Sequence, residues 1–268
     1  MGGPICGPSA PPSMVLGLVL VALLAATYVA LTFRQERRKL VPWSPWRTAS
    51  FLVGCTVLAT AMVPQALPFT PGDFRQHMVQ HLLMGMLAPL ALVMGAPVTL
   101  LLRSMEVHQG RRTTALLRSA PLRVLTHPLT ALVLNLGGMA ALYFTPLYAG
   151  MMTSPALHYL VSFHFVAAGY LYAWVIAGPD PAPHRLSVPA RLVVLGLAVI
   201  IHSVMAQLLY AGIGVEVPAP PQHLQQAAEL MYYLGDMTEM LLAFALVSTW
   251  RPARRDGRAA PMPAGSVV

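Results

Sequence analysis

The sequence has few charged residues and almost no cysteine. Charged side chains make up 10% of its 268 residues, and Cys6 and Cys55 are its only cysteines. Two cysteines so far apart form neither a CxxC site nor a disulfide framework, so we interpret both as structural. The only lysine is Lys39. These absences leave histidine, methionine and a few carboxylates as the residues able to carry chemistry.

Apolar residues dominate instead, at 56% of the chain with a mean hydropathy of +0.63. A membrane crossing needs about 20 mostly apolar residues in a helix. Seven runs meet this rule, at about 14–33, 48–67, 78–102, 128–146, 157–178, 191–212 and 224–249. The sequence therefore predicts an all-α polytopic membrane bundle of seven transmembrane helices, forming one integral membrane domain over 1–268.

The basic residues predict the orientation of this bundle, because cytoplasmic loops retain Lys and Arg. With seven spans, 16 of the 17 basic residues fall on one side, and Arg75 alone falls on the other. We therefore expect the N-terminus outside, the C-terminus inside and 251–268 as a cytoplasmic tail. The net charge of +8 is then a topology signal and indicates no nucleic-acid partner. The basic inner segment 103–127 is expected to include a short amphipathic helix at the membrane surface.

Histidines and carboxylates recur in the predicted outer half of the bundle. His77 and His81 lie one turn apart on the same face of the third span. The other polar or sulfur-bearing candidates come from three further spans: His158, His164, His202, Met205, Asp236 and Glu239. Ionisable groups in a bilayer are expensive, at roughly 2.5–3.5 kcal/mol for a charged residue at mid-helix. Several such groups at similar depth indicate a shared ligand.

Neutral imidazoles with thioethers favour copper, and Cu(I) over Cu(II), whereas Mg²⁺ and Ca²⁺ prefer oxygen ligands. A simpler interpretation stays open, because a lone membrane histidine is often only a hydrogen-bond partner between helices. Most of the 16 methionines are expected to fill gaps in the packing. The candidate metal ligands are His77, His81, His158, His164, His202, Met205 and Asp236.

Three sequence blocks are informative together: HMVQHLLMGMLAPLALVMGAPVTLLLR (77–103), THPLTALVLNLGGMAALYFTPLY (126–148) and SFHFVAAGYLYAWVIAGPDPAPHRL (162–186). They resemble the membrane-embedded CtaG-type cytochrome c oxidase assembly factors. The resemblance covers about 70–250 and implies functional importance for His77, His81, His164 and His202. It departs in the last span, where Gly235–Asp236 stands in place of the family's Gly followed by Glu, with Glu239 one turn later.

The resemblance implies a bacterial plasma-membrane protein that is not an enzyme. It would bind copper in the outer half of the membrane and help to insert it into a terminal oxidase. Oxidase subunit I, whose copper centre is itself buried in the membrane, is the implied partner. Membrane lipid surrounds the chain, and a copper donor protein on the outer side is a further expected partner.

Two other functions remain open at this point. A haem-binding electron carrier would use axial histidines on facing helices, such as His81, His164 and His202. A proton-coupled transporter would use Asp236 and Glu239. A retinal protein is excluded because Lys39 falls in an inner loop. A zinc protease is disfavoured because the segment 77–81 lacks the glutamate of HExxH.

The 16-to-1 division of basic residues predicts the outcome of reporter fusions. A reporter placed after Val268 should be active only in the cytoplasm, and one placed near Gly150 should be active only outside. The opposite pattern would place the candidate histidines on the cytoplasmic side.

Overall fold

The computed structural model describes residues 12–37, 42–182 and 185–250. Within these ranges every regular element is helical, which confirms the predicted all-α class. The predicted cytoplasmic tail 251–268 lies outside the described residues, as do Cys6, Lys39 and His184.

The helices follow one another with short connections and several breaks. Their bounds are α1 Pro12–Arg37, α2 Pro45–Ala61, α3 Phe74–Leu82, α4 Ala88–Met94, α5 Pro97–Ser104, α6 Val107–Leu117, α7 Ala120–Leu125, α8 Pro128–Tyr143, α9 Leu147–Thr153, α10 Pro155–Ile176, α11 Val188–Ala211 and α12 Pro221–Ser248. A 3₁₀ turn, Pro64–Ala66, follows α2, and a π-helical turn, Leu83–Leu87, joins α3 to α4.

Five helices of the described residues are long and apolar enough to cross a membrane: α1, the continuous α3–α4 rod, α10, α11 and α12. The pair α8 and α9 would make a sixth crossing, although it is bent by 76°. Helix α2 has 17 residues and falls short of the ~20 expected for a full crossing. This arrangement is typical of a multi-pass membrane protein, while the seventh span and the orientation remain predictions.

The predicted third span, 78–102, is interrupted in the structure. The rod ends at Met94, Ala96 takes a left-handed conformation with φ of 52°, and Pro97 begins α5. A proline disfavours helical geometry in the residue before it, so the break falls where the sequence places Gly-Ala-Pro. Hydropathy cannot detect it, because the segment stays apolar throughout.

Asp180 holds the start of α5 in place. Its carboxylate accepts hydrogen bonds from the backbone N–H of Val98 at 3.0 Å and of Thr99 at 2.7 Å. The Thr99 hydroxyl donates a third, and the whole side chain is buried. An anion at a helix N-terminus satisfies backbone donors that have no partner within the helix. The GAP and GPDP segments are therefore joined to each other across the bundle.

The α3–α4 rod lies at the centre of the bundle. Helix α12 packs against α3, while α10 and α2 pack against the π turn and α4. Helix α11 contacts both α12 and α8, and α1 contacts α2 and α5. One buried core cluster joins the rod to α8, α10, α11 and α12, and a smaller one joins α1, α2 and α5 to α4.

The predicted amphipathic helix in 103–127 is present as α6, followed by the short α7. Arg111 and Arg112 are exposed on α6, and so is Leu116. This mixture of basic and apolar exposed residues is typical of a helix lying at a membrane surface.

Replacing Asp180 with alanine should destabilise the protein, because three donors at the start of α5 lose their acceptor. We expect a loss of roughly 2 kcal/mol, the upper end of the effect of removing a helix cap. Thermal unfolding in detergent measures it. Glu106→Ala is the matched control, since Glu106 also precedes a helix but makes no side-chain cap hydrogen bond. Equal melting temperatures for the two variants would contradict the role of Asp180.

Candidate metal centre

The start of α3 is fixed by polar contacts on the loop side. Asp73 is the N-cap and accepts a hydrogen bond from the Arg75 N–H at 2.8 Å. The Arg75 guanidinium donates to the same carboxylate and holds the pKa of Asp73 below its usual value. Arg75 also donates to the Gln226 side chain at 2.7 Å, which links α3 to α12.

Two glutamines fasten α3 to the end of α2. The Gln76 Nε2 donates to the Pro64 carbonyl at 3.2 Å, and the Gln80 Nε2 donates to the Ala61 carbonyl at 3.1 Å. These carbonyls lie at or just beyond the last turn of α2, where backbone acceptors lack helical partners. The contacts set the rotation of α3, and therefore the direction of its histidines.

His77 and His81 are enclosed by aromatic rings. The His77 ring packs edge-on against Tyr148, with centroids 5.1 Å apart, and the His81 ring packs edge-on against Phe165 at 4.6 Å. Nε2 of His77 and Nδ1 of His81 are buried without a hydrogen-bond partner. An unpaired buried polar atom is costly, so these nitrogens are available to a ligand.

The π turn begins two residues after His81. The Ala88 N–H donates to the Leu83 carbonyl five residues earlier, and Pro89 has no N–H to offer Gly85. Gly85 packs so closely against Gly169 of α10 that a Cβ on Gly169 would overlap the Gly85 carbonyl. Single π turns often mark functional positions in helices. Here the turn brings α10, which carries Phe165, against the histidine face of α3.

A cavity of about 480 Å³ opens beside these histidines. Its lining combines three imidazoles and four thioethers with apolar side chains and the polar Gln80, Tyr159 and Ser162. The seven imidazole and thioether residues are His77, His81, His158, Met14, Met62, Met84 and Met151. A second cavity of about 380 Å³ shares His77 and His158 with the first and extends to the loop residues 71–73. The two cavities together lead from the loops to His81.

A separate cluster joins α11 to α12. His202, Asp236 and Glu239 each offer a ligand atom, and these atoms lie within 4.8 Å of one another. His202 and Glu239 are buried, and Asp236 is half-buried. Helix α12 also packs against α3, which carries His77 and His81, so the cluster lies near the cavity.

Glycines make room for two of the histidines. A Cβ on Gly235 of α12 would collide with the His202 ring, and a Cβ on Gly138 of α8 would collide with the His164 ring. The His164 Nε2 lies 3.1 Å from the Leu134 carbonyl, a hydrogen bond between α10 and α8. His164 therefore has a partner in the structure, unlike Nε2 of His77, Nδ1 of His81 and both ring nitrogens of His202.

The structure divides the predicted ligands into groups. His77, His81 and His158 share the cavity, with His158 at its exposed edge. His202 and Asp236 share the second cluster. Met205 is buried in the apolar core one turn beyond His202, and His164 packs against α8. Metal binding by each of these residues remains a prediction.

Sequence reasoning left Glu239 out of the ligand set, although its spacing of three from Asp236 places both on one helix face. It also missed the cavity methionines of α1, α2 and α9: Met14, Met62 and Met151. Met62 follows the last residue of α2, and Met151 lies in the bent α9. No periodicity in the sequence connects such distant turns.

The helices define a class: a multi-pass membrane protein that holds histidine, methionine and carboxylate side chains between its helices. The chain belongs to the family of cytochrome c oxidase caa3 assembly factors, whose family model matches residues 26–253. The resemblance stated from the three sequence blocks is thereby confirmed.

Curated relatives are mycobacterial and described only as uncharacterized proteins. The chain is 31% identical over 265 residues to one from Mycobacterium bovis and to one from Mycobacterium tuberculosis, with 91% of the chain covered. A Mycobacterium leprae protein is 33% identical over 177 residues. The chain spans 39% of the length of the first two relatives and 27% of the third. No solved structure matches it.

Gly235→Ala should displace the His202 ring and destabilise the protein. Overpacking of this kind costs roughly 1–3 kcal/mol, so the melting temperature in detergent should fall. Gly196→Ala on α11 is the control, because a Cβ there meets nothing within 4 Å and alanine favours the helix. If Gly235→Ala melted at or above the Gly196→Ala temperature, the packing of His202 against Gly235 would be wrong.

Proposed function

We propose that this chain is an assembly factor for a terminal cytochrome c oxidase, and that it holds copper in the histidine–methionine cavity for delivery to the oxidase. One observation carries the copper part: three imidazoles and four thioethers line a single cavity, and buried nitrogens of His77 and His81 lack partners. Family membership supports the oxidase part.

The donor chemistry of the cavity favours Cu(I). Thioethers and imidazoles are neutral, and soft sulfur ligands select Cu(I) over divalent ions. No carboxylate occurs among the described lining residues, so nothing there offsets a second positive charge. A monovalent ion is also less costly to desolvate than a divalent one in the same site, since the cost grows with charge.

The access route supports uptake from the loop side. His158 lies at the exposed edge of both cavities, His77 is shared by them, and His81 is one turn deeper. Copper would pass by ligand exchange among these imidazoles, with thioethers holding it loosely enough for release. With seven spans and the N-terminus outside, this route opens to the outer face, where a copper donor protein would dock.

Delivery requires no chemical change in a substrate, so the proposal describes a carrier and not an enzyme. The recipient is the oxidase, and its subunit I is the acceptor that the family resemblance implies. A copper centre buried in that subunit would be reached from within the membrane, which explains why the donor site also lies between helices. The site of action is the bacterial plasma membrane.

His81→Ala should lower Cu(I) occupancy while the protein remains inserted and abundant. The change removes one ligand, whereas hydrogen bonds within membrane bundles contribute only about 0.6 kcal/mol each. Copper content of detergent-purified protein after loading with Cu(I) measures the effect. In cells whose only copy of the gene carries His81→Ala, the oxidase should also contain less copper.

His108→Ala is the matched control, because His108 is exposed on α6 and lies outside both cavities. It should keep full copper occupancy and full oxidase copper. Unchanged Cu(I) occupancy in His81→Ala would refute the copper proposal and would assign His77 and His81 a packing role only. Normal oxidase copper in a strain without the gene would instead refute the delivery step.

A further inference from the structure

The cluster between α11 and α12 differs from the cavity in its donors. It offers one imidazole nitrogen and two carboxylate oxygens, all within 4.8 Å of one another. Neither Asp236 nor Glu239 lines the cavity, and His202 does not line it either. The two sets therefore present different chemistry to different volumes of the protein.

Polar atoms of the cluster lack partners deep inside the bundle. His202 is 2% exposed, and neither of its ring nitrogens makes a hydrogen bond. Glu239 is 5% exposed, and its Oε2 is also unpaired. Buried polar side chains are normally paired with protein or with ordered water, and one left unpaired requires a further partner such as an ion. Three orphaned atoms in one cluster indicate that a ligand completes it.

The side-chain charges indicate the sign and the magnitude of the charge that this ligand carries. Two carboxylates face one imidazole, and no salt bridge to either carboxylate occurs among the described residues. Buried charges in proteins are paired or coordinate metals. A divalent cation would balance both carboxylates, leaving the cluster neutral between apolar helices.

We infer that His202, Asp236 and Glu239 form a second metal site, separate from the copper cavity, that binds a divalent first-row transition ion. Imidazole with carboxylates suits ions such as Zn²⁺ or Cu²⁺, whereas all-oxygen ligation would suit Mg²⁺ or Ca²⁺. None of these three ligands is a sulfur donor, so the set does not favour Cu(I).

The surroundings fit such a site. The Ser203 hydroxyl donates to Asp236 Oδ1 at 3.3 Å, which orients one ligand from the neighbouring helix. Gly235 leaves space for the His202 ring against α12. Because the ligands come from α11 and α12, the bound ion would cross-link two helices that pack along their length. Binding should therefore raise the melting temperature.

The test uses Zn²⁺, which is redox-inert, as the probe. Full-length protein in detergent is stripped with a chelator and titrated with Zn²⁺ by equilibrium dialysis, and its melting temperature is followed in parallel. Wild-type protein should bind one Zn²⁺ tightly and melt higher. Glu239→Gln should weaken binding at least ~100-fold, since losing even an outer-shell partner costs 10–100-fold. Ser203→Ala should weaken Zn²⁺ binding by roughly 10-fold, because it removes the hydrogen bond that orients Asp236.

Glu229→Gln is the matched control, being the same change on an exposed position of the same helix. It should bind Zn²⁺ as the wild type does. If Glu239→Gln fails to give folded protein, Asp236→Asn replaces it with the same expectation. Zn²⁺ binding unchanged in these variants, or no tight binding by the wild type, would overturn the inference.

Cross-titration separates this inference from the copper proposal. His81→Ala should lose Cu(I) and keep Zn²⁺, and Glu239→Gln should lose Zn²⁺ and keep Cu(I). Loss of both metals in each variant would mean that one site binds both. That result would overturn the inference of a second site and leave the copper proposal standing. Failure of Cu(I) binding with Zn²⁺ binding intact would refute the copper proposal alone.

Discussion

The hydrocarbon core of a membrane offers no hydrogen-bond partners, so a polar side chain between helices must find its partner inside the protein. This protein meets the requirement at most positions. Gln76 and Gln80 reach the carbonyls at the end of α2, His164 reaches the Leu134 carbonyl, and Asp180 accepts from the start of α5. Against that background, the unpaired nitrogens of His77, His81 and His202 are the observations from which we propose metal binding.

Irregular helix geometry positions these histidines between the helices. A π turn and a proline interrupt the central rod just after His81, and the Gly85–Gly169 approach draws α10 inward. Gly235 has no side chain and therefore leaves room for the His202 ring against α12. These local departures from ideal helix position two donor sets of different hardness, one neutral and sulfur-rich and one anionic. The family role in oxidase assembly supports our proposal that this membrane bundle holds transition metals.

Composition predicted the helical class, and the four-residue spacing predicted the grouping of His77 with His81, because both are local signals. The family was predicted from the resemblance of three sequence blocks to known assembly factors. It did not predict the break at Ala96, since apolar character continues across it. The cavity methionines escaped prediction because Met14, Met62 and Met151 converge only through tertiary packing. The separation of His164 from the other histidines depends on a groove at Gly138 that no pattern reveals.

The central claim is that imidazole and thioether ligands of one cavity hold Cu(I). X-ray absorption at the copper edge of Cu(I)-loaded protein tests it most directly. The account predicts a low-coordinate Cu(I) edge with both nitrogen and sulfur neighbours, and loss of the sulfur signal when the cavity methionines are replaced by leucine. A shell of nitrogen and oxygen alone, unchanged by those replacements, would contradict it.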